Sequence, residues 1–141
     1  MKIRHAAWPL ALVFTGASAC EGLVASATWI RAAPPGSKML AGYGTLRNDG
    51  PAPLAITAVE GAGFGHVMLH ETVLRDGQAR MIAHDVLEIG PGGTATLAPG
   101  GLHLMLMHPA AALGEQDRVV LEFRCGDAHT PVTFVVRRDP P

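Results

Sequence analysis

Two short stretches of the 141-residue chain carry histidine or methionine at alternate positions: His66-Val67-Met68-Leu69-His70 and Leu102-His103-Leu104-Met105-Leu106-Met107-His108. In a β-strand side chains alternate between faces, so the first stretch puts His66, Met68 and His70 on one side and Val67 with Leu69 on the other. The second puts His103, Met105 and Met107 opposite Leu102, Leu104 and Leu106. The leucines supply the core face, so the imidazoles and thioethers are expected to look outward. Asp76-Gly77 is a two-residue hairpin signal between strands 66–73 and 78–84. It folds Met81 back beside the first stretch, with His70 and Met81 expected within about one residue of direct pairing.

Thioether sulfur and neutral imidazole together suit copper(I), a soft ion that takes three or four such ligands. In an oxidising compartment cysteine is easily lost to disulfide, whereas methionine is not titrated and escapes that exchange. Imidazole must be neutral to bind, so affinity is expected to weaken as pH falls through about 6.5. A methionine in a β-protein is more often a filler of core gaps than a ligand. Here the leucines already claim the core face, which leaves these His and Met residues no packing role there.

The elements that must position them are short strands. Seventeen Gly and eleven Pro punctuate the chain, and turn signals recur about every eight to twelve residues, as in an all-β sandwich or barrel. Strands are predicted at 24–32, 40–47, 54–59, 66–73, 78–84, 94–97, 102–108, 118–124 and 132–137. Ahead of them, Lys2 and Arg4 precede an apolar run and then Ala17-Ser18-Ala19, the layout of a secretory signal peptide over residues 1–19. The exported part, 20–141, is then one domain. Losing Lys2 and Arg4 leaves 9 of the 11 basic residues against 12 acidic ones, a net charge near −3. Nucleic acid is disfavoured as a partner, and no later apolar run is long enough for a membrane-spanning helix.

Cys20 and Cys125 are the only cysteines. Export makes a disulfide between them the default expectation. The alternative is a lipoprotein cysteine at Cys20, although Ala17 stands where such signals usually carry a branched aliphatic residue. A blue-copper electron carrier needs a Cys thiolate ligand, and none lies between His70 and Met105. A hydrolase is disfavoured: Ser26 and Ser37 sit in no Gly-x-Ser-x-Gly context, and Gly63-Phe64-Gly65 lacks the Lys of a phosphate loop.

His70, ten residues, Met81, twenty-one residues, His103, one residue and Met105 reproduce the spacing that marks the PCuAC-type periplasmic copper chaperones. His70-Glu71, the Pro-Gly-Gly turn before His103, Trp29-Ile30-Arg31 and Tyr43-Gly44-Thr45-Leu46-Arg47-Asn48 also resemble that family, over about residues 28–137. The resemblance implies a cupredoxin-like Greek-key β-sandwich or barrel that binds one copper(I) per chain through His70, Met81, His103 and Met105. It further implies a periplasmic carrier, not an enzyme, and a monomer is expected. Such a carrier would deliver copper toward the copper subunit of cytochrome c oxidase, alone or with a Sco-like partner. The chain ends Arg137-Arg138-Asp139-Pro140-Pro141, without the His- and Met-rich tail some members carry. His66, Met68, Met107 and His108 flank the motif; each alone is expected to be a surface residue, with service as a spare or transfer ligand the alternative. The rival reading is a metal-free extracytoplasmic β-sandwich whose exposed Met and His face contacts other proteins.

Overall fold

The computed structural model describes residues 19–141, so the expected leader lies outside the described residues except for Ala19. Alternating apolar residues and frequent turns produce eleven strands: β1 (Leu23–Arg31), β2 (Met39–Asn48), β3 (Leu54–Ile56), β4 (Ala58–Glu60), β5 (Phe64–Arg75), β6 (Gln78–His84), β7 (Leu87–Ile89), β8 (Thr94–Leu97), β9 (Leu102–Pro109), β10 (Arg118–Cys125) and β11 (Ala128–Arg137). The pairing order β1-β11-β10-β4-β5-β9-β2 returns to β1 through the β1–β2 ladder, which closes the sheet into a barrel. The β1–β11 pair is parallel and the rest of the ring antiparallel. Outside the ring, β6 pairs with β5, β8 with β2, and β3 with β7 in a separate two-stranded sheet. The all-β, cupredoxin-like expectation is met. Among the described residues no helix is long and apolar enough to cross a membrane.

The barrel closes around the inward-facing set that period-two alternation selects. Leu104 and Leu106 of β9, Leu121 and Phe123 of β10, Phe134 and Val136 of β11, Ile30 of β1 and Leu46 of β2 are all fully buried. Phe123 and Phe134 stack with ring centroids 6.3 Å apart. Asn48, also fully buried, gathers three loops at one end. Its Nδ2 donates to the carbonyls of Ala52 (2.8 Å) and Ile89 (2.9 Å), and its Oδ1 accepts from Gly50 N–H (2.9 Å).

The structure departs from the sequence expectations in three places. The strand predicted over 54–59 breaks at Thr57, because β3 pairs with β7 while β4 joins β10 and β5. The three residues of β7 were not anticipated as a strand. The last strand starts at Ala128, ahead of Pro131. At that point β10 is the only neighbouring strand among the described residues, since β1 pairs with residues Val135–Arg137, and an open edge tolerates a residue without an N–H.

Candidate metal centre

The antiparallel β5–β9 ladder sets the geometry. His70 faces His103, Met68 faces Met105 and His66 faces Met107, so the two alternating stretches share one side of the sheet. The His70 and His103 rings meet edge to face with centroids 6.2 Å apart. Two imidazoles ligating one ion at about 2.0–2.1 Å put their ring centroids roughly 5–6 Å apart, so a small closure brings these two onto one ion.

Met81 arrives by the predicted hairpin. Asp76 and Gly77 both have positive φ (52° and 75°), as a type I′ turn requires. The turn sets Arg75 opposite Gln78, which places Thr72 opposite Met81 and Ala83 opposite His70. Met81 is therefore two residues from direct pairing with His70, not the expected one. The offset of two keeps both side chains on the same face, as diagonal neighbours about 7–8 Å apart at Cα and within reach of a long side chain.

The expectation of an outward-looking face is corrected. His103 and Met105 are buried (6% and 8% exposed), whereas Met81 is 58% exposed. The β2–β9 ladder brings Ala41 beside Met105 and Gly42 beside Leu104, and the Tyr43 ring lies 6.5 Å from that of His103. A cleft of about 360 Å³ results, lined by Arg31, Tyr43, Thr72, Met81, His103 and Met105 together with the Ala32–Pro34 connection. Leucine claims the barrel interior, but the opposite side of β9 is roofed by β2 and the chain after β1. Arg31 stacks over Trp29 and Tyr43, 5.7 and 5.8 Å from their ring centroids, at the rim of this cleft. Trp29 and Tyr43 themselves pack with centroids 4.9 Å apart. Sequence reasoning did not assign Arg31 or Tyr43 to the site, and only the β2–β9 register reveals them.

Hydrogen bonding prepares the two imidazoles differently. His103 Nδ1 lies 2.9 Å from the Gly101 carbonyl. A carbonyl only accepts, so Nδ1 carries the proton and Nε2 keeps the free lone pair, the arrangement that orients a metal-binding histidine. His70 has neither ring nitrogen exposed nor hydrogen-bonded. Burial, with the nearby His103 and His84 charges adding to it, holds its pKa below the ordinary histidine value, so the ring is neutral. A buried polar ring without partners costs stability unless something fills its coordination. His84 is spoken for by Glu71, Nε2 to Oε2 at 2.7 Å. Among the described residues, no three of His, Cys, Asp and Glu gather around a point, and the further soft donors near the His70–His103 pair are the thioethers of Met81 and Met105.

The two cysteines resolve as the default expectation had it. Cys20 and Cys125 form a disulfide, Cα to Cα 5.6 Å, that ties the chain ahead of β1 to the end of β10.

The family described as "Putative lipoprotein LpqE-like" matches residues 23–136. The chain belongs to the LpqE-like family. A "Putative lipoprotein Lxx21020" from Leifsonia xyli subsp. xyli is 34% identical over 119 residues, 83% of this chain and 70% of that protein. Among solved structures, the copper-bound PCuAC domain from PmoF2 superposes with TM-score 0.71 at 18% identity, covering 89% of this chain and all of that domain. The solution structure of CuI-DR1885 from Deinococcus radiodurans gives TM-score 0.65 at 26% identity, covering 90% of this LpqE-like chain and 84% of that one. The resemblance to PCuAC-type proteins noted in the sequence is thus borne out.

Proposed function

We propose that this LpqE-like protein is an exported copper(I) carrier that holds one copper(I) through His70, Met81, His103 and Met105. The observation that carries the reading is the pair of facing imidazoles, 6.2 Å between centroids, with both His70 nitrogens buried and unpartnered. Burial of His103 and Met105 counts against the rival contact-surface reading, which needs those side chains at the surface. The solved relatives support it, since one is described as copper-bound and another as a copper(I) form.

In this reading residues 1–19 are a signal peptide, and the single domain 20–141 acts outside the cytoplasm as a monomer with Cys20 in its disulfide. The chain is a carrier, not an enzyme: copper(I) is its cargo and no bond of a substrate is remade. Three ligands sit on the rigid β5–β9 ladder, while Met81 stands at the open side of the cleft. A recipient's ligands displace Met81 first and then take the ion by stepwise exchange. The recipient we favour is the copper centre of cytochrome c oxidase, reached directly or through a Sco-like protein.

The test is an anaerobic copper(I) titration against a chromophoric copper(I) chelator, comparing the protein with Met105→Leu. One equivalent that competes with the chelator, and is lost in the variant, is expected. Met105→Leu conserves volume, so folding stability should change by less than about 1.5 kcal/mol. Tight binding retained in this variant would remove Met105 from the ligand set.

A further inference from the structure

We propose a second, outer copper(I) site built by His66, His108 and Met107, connected to the inner one through Met68 and Met105. The proposal deepens the carrier reading and rests on it for its purpose. The observations behind it lie at the far end of the same ladder, away from the cleft.

The His66 and His108 rings approach edge to face with centroids 5.9 Å apart. That is within the roughly 5–6 Å expected of two imidazoles on one ion with metal–nitrogen bonds of about 2.0–2.1 Å. The approach depends on a backbone exception. His108 has φ +51°, a conformation that non-glycine residues rarely adopt. It is pinned there by its N–H donating to the Lys38 carbonyl (2.8 Å) and by Ala110 N–H donating to the Gly63 carbonyl (2.8 Å). Residue 65, facing it, is glycine. A Cβ at that position would lie 3.2 Å from His108 Cβ and 3.4 Å from its Cδ2, so a side chain there would crowd the imidazole.

The third donor is Met107, which faces His66 across the ladder and in turn faces Met39 of β2. Directly opposed residues have Cβ atoms about 4.5–5.5 Å apart, so the Met107 thioether reaches an ion held beside His66. Two imidazoles and a thioether form a three-coordinate set suited to copper(I). His66 and His108 are exposed, unlike His103 and Met105, so this set meets incoming copper first.

A path joins the two sites. His66 and His70 are four residues apart on β5, about 13 Å along the strand, and the facing pair Met68 and Met105 stands halfway. Copper(I) moves by exchanging one thioether for the next in steps of about 6–7 Å. The ion keeps its oxidation state throughout, and each imidazole binds it through a nitrogen lone pair.

The experiment follows imidazole and methionine-methyl resonances during stepwise anaerobic addition of copper(I) to the protein, beside the double variant His66→Ala/His108→Ala. The expected result is a first equivalent that moves His70 and His103. A second, bound at least tenfold more weakly, then moves His66, His108 and the Met107 methyl and is absent from the double variant. Saturation at one equivalent with His66 and His108 unmoved overturns the outer site and leaves the inner one standing. So does a second equivalent that persists in the double variant. Movement of His66 and His108 without His70 and His103 supports the outer site and overturns the inner one. Because both altered residues are exposed, the double variant keeps its fold, and Met107→Leu provides an independent variant expected to weaken the second equivalent alone.

Discussion

Replacing His70 by leucine should make the copper-free protein more stable. Both ring nitrogens of His70 are buried and lack a hydrogen-bond partner, and a buried unpartnered polar group costs about 1–3 kcal/mol. At the low end, two such groups cost about 2 kcal/mol. A leucine of similar volume removes that cost, and the imperfect match of shape takes back up to about 1.5 kcal/mol. The balance is a gain of about 0.5–2 kcal/mol in His70→Leu, or a few degrees in Tm for a domain of this length. Copper should reverse the order. Free ion at about a hundred times its dissociation constant stabilises the native state by roughly 2.7 kcal/mol, and the variant should forfeit most of that. Urea melts of both proteins, metal-free and with anaerobic copper(I), make the measurement. If the metal-free variant were less stable by more than about 1.5 kcal/mol, the ring would be a packed and satisfied part of the fold. Equal stabilisation of both proteins by copper would remove His70 from the proposed ligand set.

Further outcomes follow from other parts of the structure. Burial, followed by the charges of His103 and His84, lowers the His70 pKa, so in the copper-free protein its imidazole should titrate below about 6.5 by NMR. As pH falls through that value the unfolded chain takes up the proton before the folded one does. This contribution to stability is therefore present above about pH 6.5 and declines below it, and His70→Leu should remove the decline. Asn48→Ala strips three hydrogen bonds from a fully buried position and should cost about 2–4 kcal/mol in denaturant melts; a cost under about 1 kcal/mol would mean the loops re-pair without it. Reducing the Cys20–Cys125 disulfide, which spans 105 residues, should cost about 2–5 kcal/mol and leave copper(I) stoichiometry unchanged, since neither sulfur lines the cleft.

The ladder that carries the proposed ligands was legible because it rests on local alternation. Nothing but period two was needed to put His103 and Met105 opposite Leu104 and Leu106, and β9 starts at the expected Leu102. Asp76-Gly77 announced its hairpin in the same local way. The roof over His103 and Met105 was not legible, because it depends on β2 pairing with β9 some sixty residues away, and no local pattern records a non-local register. The same reason hid β7, whose three residues gain their strand conformation from β3. Pro131 concealed the start of β11 because its tolerance depends on which edge β1 leaves open. Arg31 and Tyr43 lay within segments already noted for their resemblance, but their place at the cleft is a property of the closed barrel.

The distribution of support among the proposed ligands fits a carrier better than a storage site. His103 and Met105 sit on β9, whose ladders run to β5 and β2 within the closed ring, and His70 sits on β5 between β9 and β6, so moving any of them means moving paired strands. Met81 sits on β6, which pairs only with β5 and lies outside the ring. Its side chain is more than half exposed, so swinging it aside disturbs no core contact. The ligand that a recipient must displace first is thus the one whose displacement costs the fold least. A thioether is uncharged at every pH, so its departure also leaves no unpaired charge behind. Arg31, held over Trp29 and Tyr43 at the same opening, places a permanent positive charge at the mouth of the cleft. In the proposed carrier that charge would disfavour a doubly charged ion more than a singly charged one, which is the sense required of a copper(I) cargo.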